Sequence, residues 1–171
     1  MLIASCAPRM PFTQEVRDQY KLTDDELKSI QFYTSSDIVL YRDVTDKSEV
    51  GTDRGTLKIK SGRTVEEVVI PNGTPCIVQS VMDNRKLVLG FGDGPSEFLV
   101  FGDISETGIR FRRGHYYAML AAEFREGRDV VEYDGKEFFV ADPGHPVYLM
   151  FKMTSIREFE KSSKVVKGKK L

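Results

Sequence analysis

Short alternations of apolar and polar residues, separated by turn residues, constrain the fold of this chain more than any other feature. Between residues 37 and 153, short segments have an apolar residue at every second position, and turn residues separate these segments about every 8–12 residues. The clearest hairpin joins Val130–Tyr133 to Lys136–Val140 through Asp134-Gly135, which supplies the positive φ angles of a type I′ turn. Strands do not alternate with long helices, so the pattern argues against a parallel α/β sheet.

The other alternating segments predict further short strands. They are Asp37–Val44, Gly55–Lys60, Thr64–Ile70, Cys76–Met82, Leu87–Phe91, Glu97–Phe101, Ile109–Arg112 and Pro146–Met153. Tyr116–Ala122 is open, because it continues the alternation but also contains good helix formers and can form a helical turn through Phe124. We therefore predict a mainly β fold, either a small antiparallel barrel or a rolled sheet.

One helix precedes the strands and is predicted over Asp24–Gln31. Thr23 and Glu26 have the spacing of a capping box, in which each side chain satisfies a free backbone N–H at the start of the helix. Leu22 and Leu27 occupy the two positions of a hydrophobic staple. The narrow apolar stripe of this segment is typical of a helix that closes a barrel end or lies across a sheet.

Length and composition indicate one domain with two tails. The chain has 171 residues, of which 40% are hydrophobic and 30% charged, an ordinary globular balance. We divide it into an N-terminal tether (residues 1–21), a β-rich domain (22–156) and a basic C-terminal tail (157–171). The formal net charge of −1 selects neither a polyanion nor a membrane. No segment reaches the ~20 apolar residues of a membrane-spanning helix. The sequence of residues 12–21 is compatible with either a short helical turn or an extended linker, and we leave this choice open.

The two cysteines have different surroundings. Cys76 lies in an apolar run and is predicted to be a buried small hydrophobe. Cys6 precedes a proline-containing segment, Ala7–Pro11. The string Ile3-Ala4-Ser5-Cys6 resembles the lipobox of bacterial lipoproteins. The order of cysteine, short tether and compact β domain is similar to that of small envelope lipoproteins of unassigned function.

This resemblance implies that Cys6 is acylated and becomes the mature N-terminus. It also implies attachment to the outer membrane, facing the periplasm, because Ala7 rather than an aspartate follows the cysteine. Several acyl chains on one cysteine would give stable anchoring, whereas a single chain would be marginal. The alternative is that the match is accidental and the segment is a disordered tail of a cytosolic protein.

Two positively charged segments are candidate binding surfaces. The first combines arginines with a histidine and an aromatic residue and can bind nucleic acid or a carboxylate ligand: Arg110, Arg112, Arg113, His115 and Tyr116. The second is the lysine tail, which suits anionic lipid, nucleic acid or an acidic partner: Lys161, Lys164, Lys167, Lys169 and Lys170. A solvated turn and a solvated tail are the respective alternatives.

Neither catalytic nor metal-binding motifs stand out in the sequence. His115 and His145 have no partner residue at metal-ligand spacing, and we predict no role for His145. Glu66 and Glu67 are adjacent on a predicted strand, so they should point to opposite faces rather than form an acid–base pair. Gly92-Asp93-Gly94 leads into another strand, which predicts a hairpin rather than a phosphate-binding loop.

We therefore expect a non-catalytic, lipid-anchored protein of the cell envelope. It would be a structural or binding component of a protein assembly, such as a secretion or surface-structure complex, with no cofactor, metal or small-molecule substrate. The alternative is a cytosolic β-barrel module that binds nucleic acid through the arginine-aromatic segment and the lysine tail, with an affinity that falls steeply with salt. A small-ligand pocket is the third hypothesis, and a deep pocket with convergent polar groups would support it.

Overall fold

The computed structural model describes residues 7–44, 55–83, 85–103, 116–141 and 144–162. Its strands are β1 (Arg9–Pro11), β2 (Phe32–Thr34), β3 (Ile38–Asp43), β4 (Thr56–Lys60), β5 (Arg63–Ile70), β6 (Pro75–Met82), β7 (Lys86–Gly90), β8 (Phe98–Asp103), β9 (Tyr117–Met119), β10 (Glu123–Arg125), β11 (Arg128–Tyr133), β12 (Lys136–Val140) and β13 (Leu149–Lys152). Its helices are α1 (Gln14–Gln19), α2 (Asp24–Ser29) and α3 (Met153–Ser162).

The strands form two antiparallel sheets, which confirms the predicted mainly β fold with a rolled sheet. A seven-stranded sheet has the order β1-β13-β2-β6-β7-β8-β9, and a six-stranded sheet has the order β10-β11-β12-β3-β5-β4. The sheets do not close into a barrel. In the predicted β11–β12 turn, Asp134 and Gly135 have φ angles of 51° and 68°, as a type I′ turn requires.

The seven-stranded sheet is rolled so that its last strand approaches its first. The Tyr117 N–H donates to the carbonyl oxygen of Phe12 at 3.2 Å, and the Met119 N–H donates to that of Val147 at 2.8 Å. These bonds join β9 to the residues that flank β1 and β13. The curvature brings segments that are far apart in the chain to one edge, where a cavity lies.

One hydrophobic core draws on both sheets. Leu87 and Phe101 of the first sheet belong to the same buried cluster as Leu40 and Phe138 of the second. Phe12 is fully buried in this core, and its ring packs against three other aromatic rings. Its centroid lies 5.0 Å from that of Phe32, 5.2 Å from that of Tyr117 and 5.5 Å from that of Phe151.

The capping box of α2 is confirmed, but the helix is shorter than predicted. The Glu26 carboxylate accepts from the Thr23 N–H at 2.8 Å, and the Thr23 hydroxyl accepts from the Glu26 N–H at 3.3 Å. The helix ends at Ser29 instead of Gln31, because Ile30 is already extended and Phe32 pairs as a strand with both neighbours. The prediction of a helix was therefore wrong for Ile30 and Gln31.

Residues 9–20, which the sequence assigned to the tether, form β1 and α1. β1 pairs with β13, and the fully buried Phe12 follows it. Arg17 of α1 is buried, donates to the Tyr117 hydroxyl at 3.0 Å and pairs with Asp24 at 3.3 Å. This network joins α1 to α2 and β9, so the segment is part of the packed structure.

The C-terminal half resolves one open prediction and adds two elements. Tyr116–Ala122 contains a strand, β9, rather than a helical turn. The three-residue strand β10 was not predicted, and α3 begins at Met153, before the predicted start of the basic tail. The predicted strand Ile109–Arg112 lies outside the described residues. Within the described part of the chain no helix has the length and apolar character to cross a membrane.

Candidate functional site

Most residues of the two predicted basic surfaces lie outside the described part of the chain. This holds for Arg110, Arg112, Arg113 and His115 of the first surface and for Lys164, Lys167, Lys169 and Lys170 of the second. Cys6 also lies outside the described residues. The backbone of Lys161 belongs to α3. Tyr116 is the one residue of the arginine-aromatic patch whose surroundings can be described. The predictions for the other residues of the patch, for the tail and for Cys6 therefore stay predictions.

Tyr116 lies at a cavity that no local motif indicated. The cavity has a volume of about 470 Å³ and is lined by Ser35, Ser36, Asn72, Tyr116, Ala118, His145, Pro146 and Tyr148. The Tyr116 ring stacks on the Tyr148 ring, with centroids 5.2 Å apart and planes inclined by 24°. His145, for which the sequence predicted no role, is part of the lining. We call this space the tyrosine cavity.

Backbone pairing holds the walls of the tyrosine cavity together. Ala118 and Tyr148 form an antiparallel bridge, and Tyr116 bridges Thr13. The Ser35 N–H donates to the Tyr148 carbonyl at 3.0 Å, and the Ser35 hydroxyl accepts from the Tyr148 N–H at 2.9 Å. Both tyrosines are thus fixed by segments that are distant in sequence, which explains why sequence spacing gave no signal for the site.

The second feature is β4, an edge strand of the six-stranded sheet. All five of its residues are exposed, and the exposed fractions reach 82% for Ile59 and 40% for Leu57. Its inner neighbour is β5, and no described strand pairs with its other side. An edge strand presents unpaired N–H and C=O groups and is therefore a template for pairing with another chain.

The side chains of β4 differ between its two faces. Lys58 and Lys60 both turn back onto Glu67 of β5. The Lys60 ammonium lies 2.8 Å from the Glu67 carboxylate, and the Lys58 ammonium also donates a hydrogen bond to it. Hydrogen bonds from Lys58 and then Lys60 lower the pKa of the Glu67 carboxyl. Lysines commonly protect edge strands, but here both lysines are paired with Glu67 on one face, and Leu57 and Ile59 stay exposed on the other.

Glu66 and Glu67 point to opposite faces of β5, as predicted. Glu66 is fully buried on the face opposite to Glu67, where its carboxylate lies 2.6 Å from the guanidinium of Arg42 and 3.9 Å from the ammonium of Lys136. The two carboxylates thus have separate partners. They stabilise the sheet on both faces and do not form an acid–base pair.

The β4–β5 turn determines which backbone groups of β4 face outward. Ser61 and Gly62 have φ angles of 51° and 76°, and this two-residue turn makes Lys60 and Arg63 a hydrogen-bonded pair. Because such pairs alternate along an antiparallel ladder, Lys58 also bonds to β5. The N–H and C=O groups of Leu57 and Ile59 therefore point away from the sheet, beside the two exposed apolar side chains.

The opposite edge strand of the same sheet, β10, makes a useful comparison. It has three residues and ends in an equivalent two-residue turn, with φ angles of 54° at Glu126 and 74° at Gly127. Phe124 occupies the position that Ile59 has in β4 and is 71% exposed. β10 offers one outward residue, whereas β4 offers two. Short edge strands resist pairing, so β4 is the better docking edge.

Neither a metal-binding cluster nor a reactive cysteine is found among the described residues. None of them form a group of three or more His, Cys, Asp or Glu side chains that could hold a metal ion. Cys76 is buried as predicted, and its burial raises the pKa of the thiol to about 12. The predicted hairpin at Gly92–Gly94 is confirmed, since β7 and β8 pair on either side and the Phe91 N–H donates to the Glu97 carbonyl at 2.9 Å.

In comparisons with known proteins, the chain matches no family model, no curated protein and no solved structure. A functional proposal therefore rests on its own residues. The fold and the sites define a mainly β protein with an open sheet edge and a separate polar-aromatic cavity.

Proposed function

We propose that this protein is a non-catalytic, lipid-anchored component of the bacterial cell envelope that joins a protein assembly by strand addition at β4. One observation carries the binding role: β4 is an exposed edge strand with two outward backbone positions, Leu57 and Ile59, whose side chains are apolar and exposed. In strand addition, backbone hydrogen bonds supply affinity and alternate side chains supply specificity.

The chemistry of β4 defines the partner. An added strand would place its apolar residues beside Leu57 and Ile59. On the other face it would meet Lys58 and Lys60, whose side chains are about half exposed at 49% and 53%. The partner is therefore a protein with an extended segment that alternates apolar and acidic residues. A second copy would pair lysine with lysine at the centre of an antiparallel contact, which is unfavourable.

The position of Cys6 relative to β1 supports the anchoring. Only Ala7 and Pro8 separate Cys6 from Arg9, so an acyl group on Cys6 would hold the β domain within about 10 Å of the membrane, at ~3.5 Å per residue. Arg9 pairs with Lys152, and α3 begins at the next residue. Helix α3 therefore starts beside β1, and most of the lysine tail follows this helix in the sequence.

Site-specific crosslinking tests the docking edge. A photo-crosslinking residue replaces Leu57 in the full chain, expressed from its own gene, and adducts are analysed by mass spectrometry. We expect one dominant adduct with another protein. Ile59→Pro should abolish it, because proline removes an outward N–H without touching the β4–β5 ladder. Ile59→Ser keeps that N–H and should only weaken the adduct.

Phe124→Pro provides the matched control, since it makes the same change at the equivalent position of the other edge strand. This variant should leave the adduct intact. An adduct of equal yield in Ile59→Pro would rule out strand addition at β4. An adduct with a second copy of the chain would show that β4 mediates self-association and would overturn the proposal of a different protein partner.

A further inference from the structure

We infer that the tyrosine cavity is a binding site for a neutral saccharide, a role separate from docking at β4. Its volume of about 470 Å³ falls within the range of small-molecule sites, roughly 300–1,000 Å³. Its lining combines aromatic rings with hydroxyl, amide and imidazole groups. The choice of ligand class follows from the charge of the lining, the geometry of the rings and the hydrogen-bonding groups.

The charge of the lining favours an uncharged ligand. Among the described residues, the eight that line the cavity include no aspartate, glutamate, lysine or arginine. A charged ligand that entered would lose hydration without gaining an ion pair, which is unfavourable. Phosphorylated sugars, carboxylates and amines are therefore poor candidates.

The arrangement of the two rings argues against a planar aromatic ligand between them. The Tyr116 and Tyr148 centroids are 5.2 Å apart. A ligand ring sandwiched between them would need roughly 7–8 Å, twice the contact distance between carbon atoms. Because the rings stack on each other, the pair offers a ligand only the ring faces and edges that point away from the stack, which we call the aromatic wall. A sugar ring fits such a wall because one of its faces carries C–H groups while its rim carries hydroxyls.

Polar groups around the wall can bond to those hydroxyls. The Asn72 amide offers both donors and an acceptor, and the His145 imidazole offers one of each when neutral. A purely apolar ligand would leave these groups unsatisfied.

The site is also preformed in its backbone. The paired hydrogen bonds between Ser35 and Tyr148, at 3.0 and 2.9 Å, and the bridge between Ala118 and Tyr148 fix one side of the wall. A ligand would therefore order few additional groups, which reduces the entropic cost of binding.

NMR titration of the full-length, ¹⁵N-labelled protein tests this inference. D-glucose, N-acetyl-D-glucosamine and cellobiose serve as neutral probes, and glucose 6-phosphate and phenol as charged and planar probes. We expect at least one neutral probe to shift the backbone signals of Ser36, Asn72, Ala118 and His145 saturably. Tyr116→Ala should weaken binding at least about tenfold, as loss of an aromatic anchor does. Asn72→Ala should weaken it less.

Phe124→Ala, which removes an exposed ring outside the cavity, should leave saccharide affinity unchanged, and the spectra report whether each variant is folded. If Tyr116→Ala unfolds, Asn72→Ala alone decides the test. No shift with any neutral saccharide, or tighter binding of glucose 6-phosphate or phenol, would overturn the inference. Crosslinking at β4 is a separate readout, so the two proposals can fail independently.

Discussion

At the scale of single residues, Glu67 has the most informative environment. Its side chain is 7% exposed and accepts hydrogen bonds from Lys58 and Lys60. These bonds lower the pKa of its carboxyl, with Lys58 contributing most. A carboxyl group with a lowered pKa in the folded state stabilises the protein above its unfolded pKa, and this stabilisation is lost as the pH falls through the folded pKa.

We therefore expect Glu67→Gln to lower the free energy of unfolding at pH 7 by about 1 kcal/mol. Below the ordinary carboxyl value of 4.5 the difference from the unmodified protein should shrink. Urea unfolding of both proteins at pH 7 and at pH 3 measures the loss of stability and its dependence on pH. Glu132→Gln, at an exposed position of β11, is the control and should be neutral at both pH values. A constant difference across this range would contradict the role assigned to Glu67.

Local sequence signals predicted single residues well where neighbours in the chain decide the outcome. The burial of Cys76 and the opposite directions of Glu66 and Glu67 follow from strand alternation and are confirmed. The partnership of Tyr116 with Tyr148 could not be predicted in this way. It depends on a bridge between β9 and the segment before β13, which are about thirty residues apart.

At the scale of elements, α2 depends on its N-terminal cap. The helix has six residues, too few to be stable alone. Its Leu27 is fully buried, and its first turn is closed by the reciprocal bonds of Thr23 and Glu26. Packing and capping together hold the helix against the core.

We expect Thr23→Ala to lower the free energy of unfolding by about 1 kcal/mol, because it removes the cap of the Glu26 N–H. Equilibrium urea denaturation followed by circular dichroism measures this change. Ser29→Ala, at the exposed other end of α2, is the control and should change stability less. Equal effects of the two substitutions would mean that the capping box contributes nothing specific.

Among the described residues, strand predictions succeeded for segments of at least four residues that are bounded by turn residues. Both arms of the β11–β12 hairpin are confirmed with their turn. The three-residue strands β2 and β10 were missed, because three residues are too few to establish a period of two. Instead, Phe32 is fixed as strand by β13 and β6 on either side, contacts that no local pattern contains.

At the scale of the whole molecule, three surfaces can act independently. The first is the β4 edge of the six-stranded sheet, and the second is the tyrosine cavity, where β9 meets the segment before β13. The third is the N-terminal end of β1, which begins two residues after Ala7. The sequence predicted strands but left open whether they form a barrel or a rolled sheet. That choice depends on the order β1-β13-β2-β6, which pairs the two ends of the chain with its middle.

The proposed function unites these surfaces in one arrangement. An anchor at Cys6 would hold the domain at the membrane, while the β4 edge would stay available to a protein partner. The lysine tail, which includes Lys161, would add attraction to anionic lipid that weakens with salt. Anchoring is the central claim, because it determines the compartment in which the partner and any saccharide must be sought.

The intact mass and membrane partitioning of the protein, expressed in a bacterium from its native upstream DNA, test this claim most directly. We expect a mature chain that begins at Cys6, carries added acyl mass and sediments with membranes. Cys6→Ser should remove both the added mass and the sedimentation. A soluble, unmodified chain that retains residues 1–5 would contradict the account and would favour the nucleic-acid-binding alternative.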